Sequence, residues 1–293
     1  MRRPALSAAR GLEVIDFLGS FPEGAFTLSQ IARAIGVNVA SCHAVLSELT
    51  ERGYLSRSAG GKSYSLGPAL VAIGHAAMRN QPLIARAETV AADLAREHSL
   101  SVSLTRASSG EVIGILAFPG PRGLPNALPG FRLPLVPPVG AAFLAWSSDE
   151  AIDEWIARRA DQPDAAREAA WRRALDTIRE RGFEVLLHTP GSGHYPQVLS
   201  QLASGQQLHD YKRQIYEFYG TTDQALHQPE TIDPEGLYEV TLIAAPIFSE
   251  RGDAIYSLNF GPVPDKITGA QILALADSLL RACVRIMREG RSA

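Results

Sequence analysis

The feature that most constrains this chain is a run of three short helices and a hairpin within its first 66 residues. Residues 27–30 read Thr-Leu-Ser-Gln, the pattern of a capping box, and they predict a helix that ends at Gly36. Apolar spacing over residues 7–18 predicts a helix before it, and Asn38 and Gly53 are suited to the two ends of a third. The predicted core faces of the first and third helices are Leu12, Ile15 and Leu18, and Ala44, Val45 and Leu49.

Two β-rich stretches after the third helix predict a hairpin. Residues 54–57 and 63–66 flank a segment with adjacent glycines, which permit the positive φ angles of a turn. Helix, helix, turn, helix and hairpin is the order of a winged helix-turn-helix, in which the last helix enters the major groove of DNA. The alternative is a small helical domain that uses its hairpin for protein contacts.

Candidate DNA contacts follow from the winged arrangement. Basic residues on the N-terminal arm and hairpin fall where phosphates lie, and polar residues early in the third helix fall where base edges lie. The phosphate candidates are Arg2, Arg3, Arg57 and Lys62, the base-reading candidates are Asn38, Ser41, Cys42 and His43, and Thr27 and Tyr64 complete the predicted set. For Cys42 and His43, packing between helices is an equally open role.

The distribution of charge separates the two ends of the chain. Residues 1–80 hold eight basic and five acidic side chains, a net charge of +3, whereas the remainder carries −6. A basic end on an acidic body is typical of a phosphate-binding module joined to a part that does not bind phosphates. Ordinary scatter of surface charge would produce the same numbers.

The rest of the chain mixes helices and strands. Residues 67–78 predict a short linking helix, and Pro82 at a first helical position starts a longer one. The strands expected beyond it cover residues 100–105, 112–118, 238–248 and 254–260, and the helices cover 140–146, 171–181 and 265–288. This mixture predicts an α/β sensor with antiparallel strand pairing.

Several strings in the sequence, taken together, resemble the IclR family of bacterial regulators. They are LSAARGLEVIDFL, TLSQIARAIGV, LSELTERGYL and YSLGPALVAIG in the first 74 residues, then FRLPLVPPVGAAFLAW and LIAAPIFSERGDAIYSLNFGP. The resemblance implies an α+β fold: a winged helix-turn-helix at 1–66, a linker helix at 67–81, and a GAF-like effector-binding domain at 82–293. It also implies a transcriptional repressor or activator that is a homodimer or dimer of dimers, binds a palindromic double-stranded operator and responds to a small-molecule effector.

Two departures from the family pattern bear on specificity. In the third helix the family usually shows an arginine where this chain has Ala44. In the effector domain, the positions that hold a carboxylate in organic-acid-binding relatives correspond to Leu186, Leu242, Leu258 and Phe260, and apolar side chains do not compensate a buried charge. The resemblance therefore implies a largely apolar effector, such as an aromatic compound, an acyl chain, or an ester or amide of either, unless these residues simply fill a core. Leu116, Phe118, Pro138 and Val139 complete the predicted effector-binding set.

A third departure is an apparent insertion at 184–238, where the family needs only a short loop. It contains an amphipathic stretch whose apolar members are Leu208, Tyr211, Ile215 and Phe218. A segment of this length is expected to be a lid, an interface element or disorder, and its aromatic residues argue against disorder.

Other functional classes receive little support from the sequence. Ser192 and His194 are neighbours but lack the G-x-S-x-G elbow of a hydrolase, no nucleotide-binding loop is present, and neither the histidines nor the two cysteines have metal-ligand spacing. We therefore expect no cofactor, no metal and no catalytic residues. No stretch has transmembrane length, and we expect a cytoplasmic protein. A hydrolase-like enzyme, or a ligand sensor that acts only through protein partners, are the alternatives.

Overall fold

In a computed structural model, the chain divides into two compact units, one ending at Pro82 and the other beginning at Leu83. The structure describes residues 6–21, 24–121, 128–159, 164–188 and 228–288. Across these ranges, no helix has the length and apolar character needed to cross a lipid bilayer.

The first unit has the predicted order of elements. Its helices are α1 (Leu6–Gly19), α2 (Leu28–Ala34), α3 (Val39–Glu51) and α4 (Pro68–Arg79), and its strands are β1 (Phe26–Thr27), β2 (Leu55–Arg57) and β3 (Ser63–Leu66). The strands form an antiparallel sheet in the order β1-β3-β2. The predicted hairpin is β2 and β3, and β1 adds a third strand that the sequence pattern did not indicate.

The helix boundaries are set by local capping groups. The Thr27 hydroxyl accepts a hydrogen bond from the Gln30 amide at 3.4 Å, and the Gln30 side chain accepts one from the Thr27 amide at 2.8 Å. Asn38 Oδ1 accepts from the Ser41 amide at 2.8 Å, and Gly53 follows α3 with a φ of +74°. The predicted start of α2 and both predicted ends of α3 are therefore confirmed.

The predicted core faces of α1 and α3 were only partly right: Leu18 is buried, whereas Val45 and Leu49 are half-buried and Leu12 and Ala44 are exposed. In α1, Leu12 is 63% exposed, and the buried residues are Val14, Phe17 and Leu18. The Phe17 ring lies 4.9 Å from the Phe26 ring, measured between centroids, and Phe21 joins the same cluster. An aromatic cluster buries more apolar area than the leucine face would, so it fixes the rotation of α1. The buried residues of α3 are Cys42 and Leu46.

The second unit is built on one large antiparallel sheet. Its helices are α5 (Pro82–His98), α6 (Ala141–Leu144), α7 (Asp149–Ala157), α8 (Ala165–Arg181) and α9 (Gly269–Arg288). Its strands are β4 (Val102–Ser108), β5 (Glu111–Phe118), β6 (Arg132–Pro134), β7 (Glu184–Leu187), β8 (Leu237–Tyr238), β9 (Val240–Phe248), β10 (Ala254–Phe260) and β11 (Ile267–Thr268). Six strands pair in the order β6-β5-β4-β10-β9-β7, and β8 pairs separately with β11. A helix-turn-helix unit together with this second unit of mixed helices and strands confirms the predicted α+β class.

Helices cover both faces of the six-stranded sheet. On one face, the His98 ring of α5 lies 5.2 Å from the Phe260 ring, and α9 packs on β9. On the other face, α6 packs on β9 and β10, and the Ala142 amide donates to Glu184 of β7 at 3.0 Å. We call these the α5/α9 face and the α6 face. Because both are covered, the first four residues of β4 are buried on both sides of the sheet.

The segment predicted as an insertion begins with a strand of the main sheet. β7 pairs with β9 through Glu184–Leu187, so any inserted segment starts after Leu187. The predicted amphipathic stretch with Leu208, Tyr211, Ile215 and Phe218 lies outside the described residues, so its role stays a prediction.

Candidate DNA-binding and effector sites

One side of α3 is held in the core of the first unit, and the opposite side is exposed. Cys42 and Leu46 are fully buried, whereas Val39 is 51% exposed and His43 and Ser47 are exposed as well. The buried residues recur at a spacing of four, which fixes the rotation of the helix. The outward side therefore consists of Val39, Ala40, His43, Ala44, Ser47 and Glu48.

Two of the predicted DNA contacts are corrected by their burial. Cys42 is 0% exposed because it packs into the core from α3, and burial raises the pKa of its thiol. Tyr64 is 3% exposed in β3, and the Arg57 guanidinium lies over its ring at 5.3 Å. Neither side chain is available to DNA. Tyr64 instead supports Arg57, a cation at the end of the hairpin strand.

The remaining predicted DNA contacts occupy different positions. Arg57 and Lys62 are exposed on the hairpin, and His43 is on the outward side of α3. Asn38 and Thr27 are exposed but cap α3 and α2, so their side-chain oxygens already accept backbone hydrogen bonds. Ser41 is half-buried beside the core, and Arg2 and Arg3 lie outside the described residues. Sequence reasoning missed Val39, Ala40 and Ser47, which the exposure of α3 identifies.

The predicted effector residues fall on opposite faces of the large sheet. Directly paired residues of antiparallel strands point to the same face. Leu104 pairs with both Leu116 and Leu258, and Val102 pairs with both Phe118 and Phe260. These four predicted residues are therefore on the α5/α9 face, where Leu258 and Phe260 are fully buried and Phe260 contacts the His98 ring. Leu258 and Phe260 are core residues on the side where α5 and α9 pack, and Leu116 and Phe118 are half-buried on that side.

The other four predicted residues belong to the α6 face. Leu186 pairs with Leu242 on β9, and both lie on the same face as Glu184, which contacts α6. Pro138 and Val139 precede α6 directly, and the Ala141 amide donates to the Pro138 carbonyl. A single cavity lined by all eight residues is therefore excluded, because the sheet itself lies between the two groups.

A buried row of polar side chains occupies the α6 face, and sequence reasoning missed it. We call Ser103, Thr105, Ser257 and Asn259 the polar strip; each is at most 6% exposed. Asn259 Nδ2 lies 3.4 Å from Ser103 Oγ and 3.3 Å from Thr105 Oγ1, and Asn259 Oδ1 accepts from the Ser257 hydroxyl at 2.8 Å. The regular alternation of polar with apolar residues in β4 and β10 was the signal that could have identified it.

Glu184 places a carboxyl group at the edge of the same face. It is 5% exposed, and burial raises its pKa to about 7, against the opposing effects of the Ala142 amide and the Arg181 guanidinium. Burial also lowers the pKa of Arg181 to about 10. The folded protein thus holds a carboxyl that changes charge near neutral pH beside α6.

A small cavity lies next to Glu184. It has a volume of about 20 Å³, and Pro138, Leu186, Trp155, Trp171 and Gln228 are among its lining residues. This is room for about one water-sized molecule, so a larger ligand requires its walls to move. The indole Nε1 of Trp171 is buried and has no hydrogen-bond partner, alone among the side-chain donors and acceptors buried in the described ranges. Over those same ranges, no group of three His, Cys, Asp or Glu side chains is arranged to hold a metal ion.

Comparisons with known proteins find similarity in the first unit by sequence and over nearly the whole chain by fold. A sequence model of the IclR helix-turn-helix domain matches residues 7–59, and no curated protein sequence matches significantly. Among solved structures, the chain is similar to an IclR transcriptional regulator from Alicyclobacillus acidocaldarius, with a TM-score of 0.70 and 20% identity over 97% of this chain and 98% of that one.

Two further solved structures have the same fold. An IclR homologue from Microbacterium hydrocarbonoxydans, complexed with 4-hydroxybenzoate, has a TM-score of 0.64 and 20% identity over 98% of this chain and 100% of that one. HmgR from Pseudomonas aeruginosa has a TM-score of 0.60 and 19% identity over 97% and 99%. Residues 7–59 thus match the IclR helix-turn-helix domain, and over nearly its whole length the chain has a fold similar to that of these solved structures.

Proposed function

We propose that the chain is a sequence-specific DNA-binding transcriptional regulator whose second unit binds a small-molecule effector. One observation carries the DNA-binding part: within the matched helix-turn-helix, α3 turns an entire side outward while Cys42 and Leu46 fix its rotation. Arg57 and Lys62 are exposed on the adjoining hairpin, which suits contact with phosphates.

DNA binding is tested by a mobility shift with the purified full-length chain and the DNA beside its own gene. We expect a shifted band that survives an excess of unrelated duplex and weakens as the salt concentration rises. Equal competition by every duplex would contradict sequence-specific regulation, and an absent shift at low salt would contradict DNA binding altogether.

The effector is proposed to bind on the α6 face of the second unit. Leu186 and Leu242 supply apolar contact there, and the polar strip supplies hydrogen-bonding groups. A carboxylate placed beside the buried Glu184 carboxyl would be repelled once Glu184 is ionised. We therefore propose a neutral effector with an aromatic or acyl part and a hydroxyl, ester or amide group. The 4-hydroxybenzoate complex of the Microbacterium homologue supports an aromatic ligand for this fold.

A ligand panel tests the effector class, because a ligand that binds only the folded state raises the melting temperature. We expect 4-hydroxybenzamide or methyl 4-hydroxybenzoate to stabilise the protein more than benzoate, pyruvate or glyoxylate. Thr105→Val removes one hydroxyl of the polar strip at nearly constant volume, and it should weaken binding of the best ligand about tenfold, which is the effect of losing about 1.4 kcal/mol. Thr177→Val, on the exposed side of α8, is the matched control. Preferential binding of pyruvate or glyoxylate would contradict the proposed class.

A homodimer that binds a palindromic operator is proposed as the active form. Four large apolar side chains are exposed on two helices of the first unit, Leu6 and Leu12 on α1 and Val71 and Ile73 on α4. Apolar residues grouped on one unit favour association with a second copy. Sedimentation of Val71→Asp should show more monomer than the parent chain, and an unchanged monomer fraction would remove α4 from the interface.

A further inference from the structure

The outward side of α3 carries methyl groups where a base-reading helix commonly has long polar side chains. Between the Asn38 cap and Ser47, the exposed residues are Val39, Ala40, His43 and Ala44. None of these four is an Arg, Lys, Asn or Gln, the side chains that bond base edges with two hydrogen bonds. Their exposure is a property of the folded unit, because Cys42 and Leu46 on the other side of the helix are fully buried.

We infer that this side of α3 reads the C5-methyl groups of thymines in the major groove; the inference rests on the proposed DNA-binding function. The thymine methyl is the one apolar group among the base features exposed in that groove, and small apolar side chains are its usual contacts. Val39, Ala40 and Ala44 are short, so the α3 backbone can approach the base edges closely. The operator half-site therefore has thymines facing these three residues and a purine, accepting at N7, facing His43.

The charges around α3 favour insertion of its first half into the groove. Glu48 and Glu51 are exposed in the second half, and Glu48 pairs with Arg52. Phosphates repel these carboxylates, whereas the first two turns from Val39 carry no acidic side chain. The exposed Arg57 and Lys62 of the hairpin are the complementary phosphate contacts. Recognition of the base sequence thus depends on apolar contacts of α3, and attraction to the phosphates depends on the basic residues of the hairpin.

Replacing thymine by deoxyuridine tests the inference, because the change removes only the C5-methyl group. The operator is first selected from a random duplex library with the full-length chain, and each thymine of the selected site is then replaced singly. We expect about fourfold weaker binding at two or three positions of each half-site, the fold-change that corresponds to about 0.8 kcal/mol for one buried methyl group. At the remaining thymines the affinity should not change.

The variant Val39→Ala assigns one of those positions to its side chain. Val39 is exposed and at the start of α3, and alanine is the better helix former, so the fold is retained. Binding of Val39→Ala should distinguish thymine from deoxyuridine less strongly at one position, because the shorter side chain contacts the methyl group less, while Val284→Ala, an exposed valine on α9, should behave as the parent chain.

The possible outcomes separate this inference from the function on which it rests. A selected operator whose affinity is indifferent to every deoxyuridine replacement would overturn methyl reading and leave sequence-specific binding intact. If deoxyuridine weakens the binding of Val39→Ala and of Ala44→Ser as much as it weakens that of the parent chain, another element contacts the methyl groups. That result would overturn the role of α3. A library from which no sequence is enriched would overturn the proposed function together with the inference.

Discussion

Glu184→Gln should change the pH dependence of stability in the second unit. The folded carboxyl keeps its proton to about pH 7, because it is buried against α6, whereas its usual pKa is 4.5. Between these two values the folded state binds more protons than the unfolded state, so stability falls as the pH rises through that window. Glutamine cannot ionise, and the variant should not show this fall.

The size of the effect follows from the separation of the two pKa values. A separation of this size corresponds to about 3 kcal/mol in the free energy of unfolding, most of it lost between pH 5 and pH 8. The free energy of unfolding of Glu184→Gln, measured relative to that of the parent chain, should therefore rise by about 2 to 3 kcal/mol between pH 5 and pH 8. Arg181 and the Ala142 amide stabilise the ionised carboxylate and oppose this gain, and their effect is already included in the pKa of about 7.

Tryptophan fluorescence provides a selective assay for this prediction. All three tryptophans, Trp146, Trp155 and Trp171, belong to the second unit, so urea titrations followed by their emission report its unfolding. The titrations are run at pH 5 and pH 8, with Glu88→Gln on the exposed side of α5 as a matched control. If the free energies of unfolding of Glu184→Gln and the parent chain differ by the same amount at pH 5 and pH 8, the reasoning is refuted. Glu184 would then be ionised in the folded protein at both pH values.

Three further predictions concern the hairpin, the core and a helix cap. Lys62→Ala should weaken DNA binding equally for all sequences and lower the slope of log affinity against log salt by about 0.9, with Lys266→Ala as the control in anisotropy titrations; an unchanged slope would exclude Lys62 from the interface. Phe260→Ala should destabilise the second unit by about 3 to 5 kcal/mol in the tryptophan assay, because Phe260 is fully buried, and a small change would contradict its assignment to the core. Thr27→Ala should cost about 1 kcal/mol in urea unfolding followed by circular dichroism, and no loss would mean that the capping box adds nothing.

The first unit could be predicted from the sequence where local chemistry decides the structure. Thr27, Asn38 and Gly53 act through backbone groups three or four residues away, so their effects are visible in a short stretch of sequence. The rotation of α1 could not be predicted in this way. Leu12 and Phe17 are both apolar, and the choice between their faces depends on Phe26, which becomes a neighbour only after folding.

The predicted effector-binding residues show the same limit more severely. Leu258 and Asn259 are adjacent in sequence, yet they point to opposite faces of β10. An alignment displaced by one residue therefore assigns residues of the α5/α9 face to the α6 face. The family motif placed Leu258 and Phe260 in the site, whereas strand pairing places Ser257 and Asn259 on the α6 face. Strand register is a property of the assembled sheet, and only pairing with β4 and β9 determines it.

The exposure of α4 limits the stability of the helix that connects the hairpin to α5. α4 has twelve residues and buries none of them, and an isolated helix of that length is only marginally stable in water. If a second copy covers Val71 and Ile73, helix formation in α4 and dimer formation become one coupled equilibrium. Dilution would then dissociate the dimer and unfold α4, so the helical structure of this connecting segment would itself depend on protein concentration.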